Sequence, residues 1–340
     1  MSETTLASSA EPALHITFAR TVDRRLVHRT AVAEVFVTDA RQVGDSVYLA
    51  GAQTPLSHSY YNDHVQSPAV TDVLLVLEAC RQAAVCAAHT FLDIPMDTAF
   101  LVNEVSVRLD DAEALRTGDD PGELRLLTEY PTVRMKADRA RKVGVAQELT
   151  FNGRPVGVSG MQVSAMTKAE YAALREYQRG GVAPSTREVP RPDRTTLLAP
   201  EQVGRTTRSN VVLASPAFAD GRLTAQLAPD FDNRSLFDHE YDHYPAMTLL
   251  EGARQLGLLS AYWGGRQLHR THVLGVSAAF LRFAELDAPV VVSALMPTGD
   301  DDPVDVSFEQ SGRTVATASV WLHEEPDTPG RAEASRGDDR

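Results

Sequence analysis

The chain has 340 residues, a length that suggests roughly two domains with sizeable cores. Hydrophobic residues make up 43% and charged residues 23%, which is typical of a soluble folded protein and excludes a disordered or fibrous chain. With 33 Lys and Arg against 46 Asp and Glu, the net charge of −13 repels phosphate backbones and anionic lipid surfaces. The sequence therefore predicts neither nucleic acid nor membrane as a main partner. Because the N-terminus lacks the basic start of a signal peptide, we expect a cytosolic protein.

The chain contains two copies of one unit. Residues 27–37 predict a turn followed by an alternating strand, and residues 203–213 repeat that pattern 176 positions later. Both copies carry an Arg-Thr pair, at Arg29-Thr30 and at Arg205-Thr206. The two halves are therefore expected to share one fold.

Each copy continues with a second short strand, a loop rich in His and Asp, and an apolar helix, predicted at 72–90 and at 247–263. Beyond each helix, an alternation of period two predicts four further strands. Consecutive strands without intervening helices cannot form parallel crossovers, so each unit is β-β-α-β-β-β-β and the fold class is α+β. The predicted strands are 99–109, 124–130, 142–151 and 155–165 in the first copy and 273–283, 290–296, 303–309 and 313–322 in the second.

Gly, Pro and charged residues are concentrated at 180–197, which predicts a linker. The first repeat then covers residues 14–179 and the second covers residues 198–323. The ends of the chain, 1–13 and 324–340, are polar and without periodicity, and we expect them to be disordered.

Polar residues interrupt the first apolar helix at Glu78, Arg81 and Gln82, which share one helical face. The same three residue types recur on the second helix, at Glu251, Arg254 and Gln255. An ionisable group in a low-dielectric interior is costly unless it is paired. Two interpretations stay open: a structural ion pair that locks the two helices together, or a site at the helix junction where Glu acts as base and Arg holds an anion.

Histidine-rich loops precede both helices, at 58–64 and at 237–243, and each loop ends in Asp-His. A neutral His is a competent acid and base at neutral pH, although each of these residues also fits an ordinary loop position. His239 and His243 match the His-Glu-x-x-His zinc pattern, which needs a helix. Because Pro245 disfavours helical geometry just before it, we predict no metal site.

An apolar helix wrapped by an antiparallel sheet and duplicated in one chain resembles a double hotdog fold. His64 and Glu78 are 14 positions apart, similar to the His and Glu of hotdog β-hydroxyacyl-thioester dehydratases. More specifically, Asn62-Asp63-His64 with Leu77-Glu78-Ala79-Cys80-Arg81-Gln82, and the loop 237–243 with Leu250-Glu251-Gly252-Ala253-Arg254-Gln255, resemble the two repeats of the A-factor biosynthesis (AfsA-type) γ-butyrolactone synthases of actinomycetes. The resemblance extends over about residues 14 to 323.

This resemblance implies an acyltransferase that joins a β-ketoacyl group to the hydroxyl of dihydroxyacetone phosphate. The donor is expected to be a thioester on an acyl carrier protein or on CoA. No metal or redox cofactor is implied, and the oligomeric state stays open, a homodimer included. The resemblance makes Glu78, Glu251, His64 and His243 the expected catalytic residues. Substrate binding is expected from Arg254, Arg81, Gln82, Gln255 and His239.

Thioester acyl transfer needs a base, donors for the oxyanion and a cation for the phosphate. We expect desolvation to raise the pKa of each buried Glu, which suits a base, and we expect Arg254 to hold the phosphate. Backbone N–H groups near Asp72 or Met247, at the helix N-termini, are expected to polarise the thioester carbonyl. Two other classes stay open: a hotdog dehydratase or thioesterase that uses His64 and Glu78, and a non-catalytic module that binds acyl groups or lactones.

Overall fold

The computed structural model describes residues 15–136, 138–297, 299 and 302–326. Within them, the chain forms three α-helices, α1 (Val73–Phe91), α2 (Lys168–Arg179) and α3 (Ala246–Trp263). The strands of the first repeat are β1 (Val37–Gly44), β2 (Val47–Thr54), β3 (Ala99–Leu109), β4 (Gly122–Lys136), β5 (Arg139–Phe151) and β6 (Arg154–Met166). Those of the second repeat are β7 (Leu213–Ala219), β8 (Arg222–Leu227), β9 (Thr271–Phe280), β10 (Val291–Leu295), β11 (Val304–Gln310) and β12 (Arg313–Glu324).

One antiparallel sheet contains all twelve of these strands, in the order β1-β2-β4-β5-β6-β3-β9-β12-β11-β10-β8-β7. The two repeats meet where β3 pairs with β9, and from this junction outward the strand order is the same in both repeats. The order β-β-α-β-β-β-β and the α+β class are therefore confirmed. The double hotdog architecture follows, because each repeat wraps its half of the sheet around one long helix. The predicted position of the first strand is wrong, because β1 and β7 begin at Val37 and Leu213, where the predicted segments 27–37 and 203–213 end, and short 3-10 turns occupy the residues before them.

Asn-Gly and similar pairs close three of the hairpins. At Asn152-Gly153 the φ angles are 48° and 80°, and Asp220-Gly221 and Ser311-Gly312 also have positive φ at both positions. Two-residue hairpin turns need such angles to match the twist of their strands, and glycine adopts them at little cost. The local sequence therefore sets where these strands reverse.

Both long helices lie within one residue of their predicted bounds and are buried in the sheet. The Asp72 side chain caps α1 by accepting a hydrogen bond from the Leu74 amide, while Pro245 precedes α3. By length and composition α1 would suffice to cross a membrane, but 83% of its most apolar window is buried inside the protein. Its apolar surface is therefore explained by packing in the core.

The helix α2 was not predicted. Thr167 and Glu170 form a capping box at its start, and Gly180 ends it with a φ of 77°. Its sequence is polar, and ion pairs from Arg175 and Arg179 to acidic residues of the second repeat hold α2 on the surface. The N-terminal tail predicted at 1–13 lies outside the described residues, as do residues 327–340, whereas Glu324, which was expected in the C-terminal tail, ends β12.

Candidate active site

The polar stripe of α1 forms one fully hydrogen-bonded cluster. Glu78 is completely buried, and its carboxylate accepts hydrogen bonds from Arg29 at 2.9 Å, from Arg81 at 2.7 and 2.8 Å, and from Gln82 at 2.7 Å. Gln82 also donates to the Glu34 carbonyl and accepts from a backbone amide, so it ties α1 to the segment before β1. The cluster therefore fixes the direction of Arg81.

In the equivalent polar stripe of α3, the buried glutamate accepts more hydrogen bonds than Glu78 does. The Glu251 carboxylate, also completely buried, accepts two hydrogen bonds from Arg205 at 2.8 and 3.0 Å and two from Arg254 at 2.9 Å. Gln255 and the Tyr60 hydroxyl donate to the same carboxylate, the latter at 2.8 Å. Six hydrogen bonds leave no lone pair of Glu251 open to a substrate.

The structure corrects the expected direction of the pKa shift of both glutamates. Burial alone would raise each pKa, but the coulombic effect of Arg29 and then Arg81 outweighs it and lowers the pKa of Glu78 to about 2. Arg205 and Arg254 lower the pKa of Glu251 to about 2 in the same way. Each carboxylate is therefore a weak base that holds its cations.

The two repeats exchange their histidine-rich loops. The backbone amide of Thr30 donates to the Asp238 carboxylate, and the amide of Thr206 donates to the Asp63 carboxylate, both at 2.9 Å. Asp63 and Asp238 are therefore equivalent positions, each next to the polar stripe of the other repeat. It follows that Asp63-His64 corresponds to Asp238-His239, and His243 lies four residues further along its loop.

One difference between the loops decides which cluster is open. Three residues before Asp63 stands Tyr60, a fully buried ring that packs under the Arg205 guanidinium at 4.3 Å and fills the space beside Glu251. Three residues before Asp238 stands Ser235, which leaves that space free and lines a cavity. The open site therefore lies beside the α1 stripe.

This cavity has a volume of about 820 Å³ and lies between α1, α2, the loop before α3 and the ends of β3 and β9. Cations and histidines are concentrated in its wall, which also includes the N-terminal residues of α3. The members of the wall that matter here are His28, Arg29, Arg81, Tyr171, Ser235, His239, Tyr241, His243, Met247 and Arg282. We call it the polar chamber.

A second cavity of about 110 Å³ adjoins the polar chamber, and we call it the apolar chamber. Four residues line both chambers: His28, Arg81, Phe100 and Val102. Apart from His28, Arg81 and Tyr130, its wall is made of aliphatic and aromatic side chains. The charged polar chamber is therefore continuous in its lining with a hydrophobic apolar chamber.

Two histidines of the polar chamber have carboxylate partners. His243 Nδ1 lies 2.6 Å from Asp242 Oδ1, and Asp242 is itself bound by Arg175 at 2.9 Å and by the Tyr171 hydroxyl at 3.0 Å. Burial would raise the pKa of Asp242, but His243 and Arg175 hold it well below its usual range. The Asp242 anion therefore orients the His243 ring, leaving Nε2 for a proton transfer.

His239 is the more exposed of the two, with 48% of its side chain accessible. Its Nδ1 lies 3.5 Å from the Asp238 carboxylate, and its ring stacks on Tyr241 at a centroid distance of 4.1 Å. Asp238 and Tyr241 therefore fix the plane of the His239 ring, and its Nε2 is left to form a hydrogen bond in the chamber.

At the boundary between the chambers, His28 Nε2 lies 2.9 Å from His89 Nε2, and His89 Nδ1 lies 2.7 Å from the Ile94 carbonyl. A carbonyl oxygen only accepts, so His89 Nδ1 carries a proton. Burial, and then His89, lower the pKa of His28 to about 4. A neutral His28 ring therefore adds no second positive charge beside Arg81.

Of the residues expected from the sequence, the polar chamber brings together Arg81, His239 and His243, with Glu78 and Gln82 behind Arg81. The remaining four expected residues belong to the closed cluster or its surroundings: Glu251, Arg254, Gln255 and His64. Within the described residues, the Glu78 carboxylate is bound by Arg29, Arg81 and Gln82, and the buried His64 Nδ1 has no hydrogen-bond partner, so His64 and Glu78 do not form the expected pair.

Other sequence motifs are settled by their surroundings. His239 to His243 lie in a loop, so the two rings do not share the helical face that the zinc pattern needs. Cys80 is fully buried, and burial raises the pKa of its thiol to about 12, which leaves it unreactive.

Several residues of the site were not predicted from the sequence. Arg29 and Arg205 are the second cations of the two clusters, and the repeated Arg-Thr pair was the signal that could have assigned them. No repeated sequence motif marks His28, Asp242 and Tyr171, so the duplication could not assign them to the site.

Several known proteins are similar in sequence to this chain. The profile of the AfsA family, the A-factor biosynthesis hotdog domain, matches residues 11–167 and 186–322. A 2-oxo-3-(phosphooxy)propyl 3-oxoalkanoate synthase of Streptomyces virginiae is 32% identical over 305 residues, covering 88% of this chain and 97% of its own. The synthase of the same name from Streptomyces griseus is 28% identical over 85% of this chain and 91% of its own.

Among solved structures, the dehydratase domain from the CurK module of curacin polyketide synthase superimposes with a TM-score of 0.48 and 11% identity, covering 83% of this chain and 94% of that domain. The two segments that match the AfsA profile, one in each repeat, together cover most of the sequence. The chain therefore belongs to the AfsA family of A-factor biosynthesis hotdog proteins.

Proposed function

We propose that this protein is an acyltransferase that joins a β-ketoacyl group to the hydroxyl of dihydroxyacetone phosphate and releases the thiol that carried it. One observation carries the proposal: a chamber rich in cations and histidines adjoins an apolar chamber, with Arg81 and His28 at the boundary. Its relatives are named 2-oxo-3-(phosphooxy)propyl 3-oxoalkanoate synthases, and that product has a phosphate at one end and an acyl chain at the other. The two chambers match these two ends.

In this proposal the acyl chain lies in the apolar chamber, where it is removed from water. The phosphate lies in the polar chamber, bound by Arg81, whose planar guanidinium suits phosphate oxygens, and by His239. The side chain of Arg81 is 24% accessible whereas that of Arg254 is 3% accessible, so we assign the phosphate to Arg81 instead of Arg254.

His243 is the proposed base. As the hydroxyl oxygen of the acceptor attacks the thioester carbonyl, its proton passes to His243 Nε2 while Asp242 stabilises the imidazolium through Nδ1. Collapse of the tetrahedral intermediate forms the ester and breaks the C–S bond, and the leaving sulfur takes the proton back from His243. Backbone N–H groups at the start of α3, where Ala246 and Met247 line the chamber, are the proposed oxyanion donors.

Glu78 and Gln82 then act through Arg81, which they hold in place. Glu251, Arg254, Gln255 and His64 are proposed to have a structural role, because their cluster is closed by Tyr60 and anchors the loop 58–64 to the second repeat. The proposed step uses only side chains and backbone groups of this chain.

Incubation with a β-ketoacyl thioester and dihydroxyacetone phosphate, followed by mass spectrometry, tests the function. We expect the phosphorylated ester and free thiol in equal amounts. Free β-ketoacid in amounts independent of dihydroxyacetone phosphate would indicate a thioesterase. A parallel incubation with a β-hydroxyacyl thioester tests for a dehydratase, which would release water and an enoyl thioester. Absence of product in both incubations would indicate a binding module. His269→Asn, at an exposed histidine outside both chambers, is the control for His243→Asn.

A further inference from the structure

A strongly basic hairpin stands out in this acidic chain. The β4–β5 turn and its flanks, residues 134–142, hold five basic residues and one acidic residue, while the whole chain has a net charge of −13. We call this segment the basic hairpin; its charged members are Arg134, Lys136, Asp138, Arg139, Arg141 and Lys142. An anionic partner repelled by most of the surface is attracted here.

The base of the basic hairpin adjoins the wall of the polar chamber. Lys142 pairs in register with Ser164 of β6, and Ser164 lines the chamber. Arg141 donates to Glu170 of α2 at 2.6 Å, and the next residue along α2, Tyr171, also lines the chamber. A molecule held by the hairpin therefore lies next to the chamber.

The charges of the hairpin are largely free to bind a partner. Arg134, Lys136, Arg139 and Lys142 are exposed and form no ion pair with any other described residue. Arg282 adds one more exposed cation in the chamber wall itself.

Apolar side chains are interspersed with these cations. Met135 and Val133 are 57% and 38% accessible on the hairpin, and Leu281, next to Arg282, is 57% accessible. Protein–protein interfaces combine apolar contacts at the centre with polar groups around them, whereas a site for nucleic acid alone has no need of exposed aliphatic side chains. The combination favours an acidic protein as the partner.

We propose that the basic hairpin, together with Leu281 and Arg282, docks an acidic acyl carrier protein that delivers the β-ketoacyl thioester. The inference rests on the proposed acyl transfer, because that reaction needs a thioester to enter the polar chamber. A thioester on a flexible arm reaches the chamber while the body of its carrier stays outside. The exposed cations of the hairpin and Arg282 in the chamber wall attract an acidic carrier to this side of the chamber.

The test uses the full-length chain with Lys136→Glu and Arg139→Glu combined. The matched control combines Arg154→Glu and Arg313→Glu, which change the charge equally, lie at the β5–β6 and β11–β12 turns, and are exposed. Each protein is assayed with one β-ketoacyl group on two donors, an acyl carrier protein and N-acetylcysteamine. Binding of the carrier is measured by fluorescence anisotropy at low and high salt, and a thermal melt verifies folding.

We expect the hairpin variant to lose about 10- to 100-fold in kcat/KM with the carrier donor and in carrier affinity, and to lose most of its salt dependence. With the N-acetylcysteamine donor it should stay within about twofold of the unmodified protein. The control variant should match the unmodified protein on both donors. Unchanged carrier binding, or an equal loss on both donors in a folded variant, would overturn the docking surface. Absence of turnover on both donors in the unmodified protein would instead refute the proposed function, and the anisotropy measurement would still test the docking surface.

Should the hairpin variant bind a carrier normally but lose affinity for a DNA duplex, the patch would be a nucleic-acid site and the proposal would be wrong. Lys136→Gln with Arg139→Gln gives a second check, because neutralisation removes the attraction without adding repulsion. Its effect on the carrier donor should be smaller than that of charge reversal and in the same direction.

Discussion

The backbone amide of Thr30 in the first repeat donates a hydrogen bond of 2.9 Å to the Asp238 carboxylate in the second repeat. The second repeat makes the reciprocal contact, from Thr206 to Asp63, at the same distance. Each buried Glu cluster is therefore completed by a loop from the other repeat. The two repeats form one structural unit even though each has its own helix and six strands.

The exchanged loops predict that neither repeat folds alone. A chain cut in the linker after Ala183 should yield two fragments that aggregate when expressed separately and form a stable complex when expressed together, since each fragment exposes the unpaired edge of β3 or β9. Size-exclusion chromatography and circular dichroism provide the measurement. A soluble, monomeric and folded second fragment would contradict this account.

Glu251→Gln should destabilise the fold. The substitution leaves Arg205 and Arg254 buried without their anion, which costs about 3 to 5 kcal/mol in the free energy of unfolding. Chemical denaturation measures this loss, and Glu309→Gln on the exposed face of β11 is the control. Near-normal stability with abolished turnover would restore the catalytic role that the sequence suggested for Glu251.

The same clusters predict acid sensitivity. Because the folded-state pKa values of Glu78 and Glu251 lie at about 2, below the value of about 4.5 in an unfolded chain, the unfolded state binds more protons between these limits. The stabilisation from both clusters is present above about pH 4.5 and is lost as the pH falls towards 2. Unfolding free energies measured across this range should fall steeply, and a flat profile would contradict the paired, ionised state of both glutamates.

The sequence was sufficient to predict the two long helices, the number of strands and the polar stripes, because hydrophobic periodicity and internal duplication can be read from the sequence alone. It could not predict Arg29 and Arg205 as the second cations of the stripes, since these contacts join residues 49 and 46 positions apart. Nor could it show which repeat is open. That depends on Tyr60 filling a space that Ser235 leaves free, and only the exchanged loops bring those two residues to equivalent places.

Arg81→Lys should weaken the binding of the phosphorylated acceptor. Lysine keeps the charge but lacks the planar fork, so we expect KM for dihydroxyacetone phosphate to rise about 10-fold with little change for the acyl donor. Arg254→Lys, at the equivalent position of the closed cluster, should lower the melting temperature and leave that KM unchanged. If only the Arg254 variant raised the KM for dihydroxyacetone phosphate, the phosphate site would have to be assigned to the Glu251 cluster.

His243→Asn should lower kcat by about 10²- to 10⁴-fold without a comparable loss of stability. Asp242→Asn removes the anion that stabilises the imidazolium, so kcat should also fall. Steady-state kinetics and a thermal melt of both variants provide the measurement. A folded His243→Asn variant with near-normal kcat would assign the base to another residue.

A photoreactive β-ketoacyl thioester with a diazirine at the end of its chain locates the acyl group directly. After irradiation and proteolysis, mass spectrometry should find the label on Ala84, Val85 or Ala88 of α1 or on Met161, which line the apolar chamber. A second concavity of about 1030 Å³, the outer concavity, is lined by residues that include Ser293 and Ser307, and Met161 lines it as well. A label on α1 therefore distinguishes the apolar chamber from the outer concavity. The predicted result is a label on α1 that an excess of unlabelled thioester reduces. A label confined to α3, or to Ser293, Ser307 and their neighbours in the outer concavity, would contradict an active site at the junction of the two chambers.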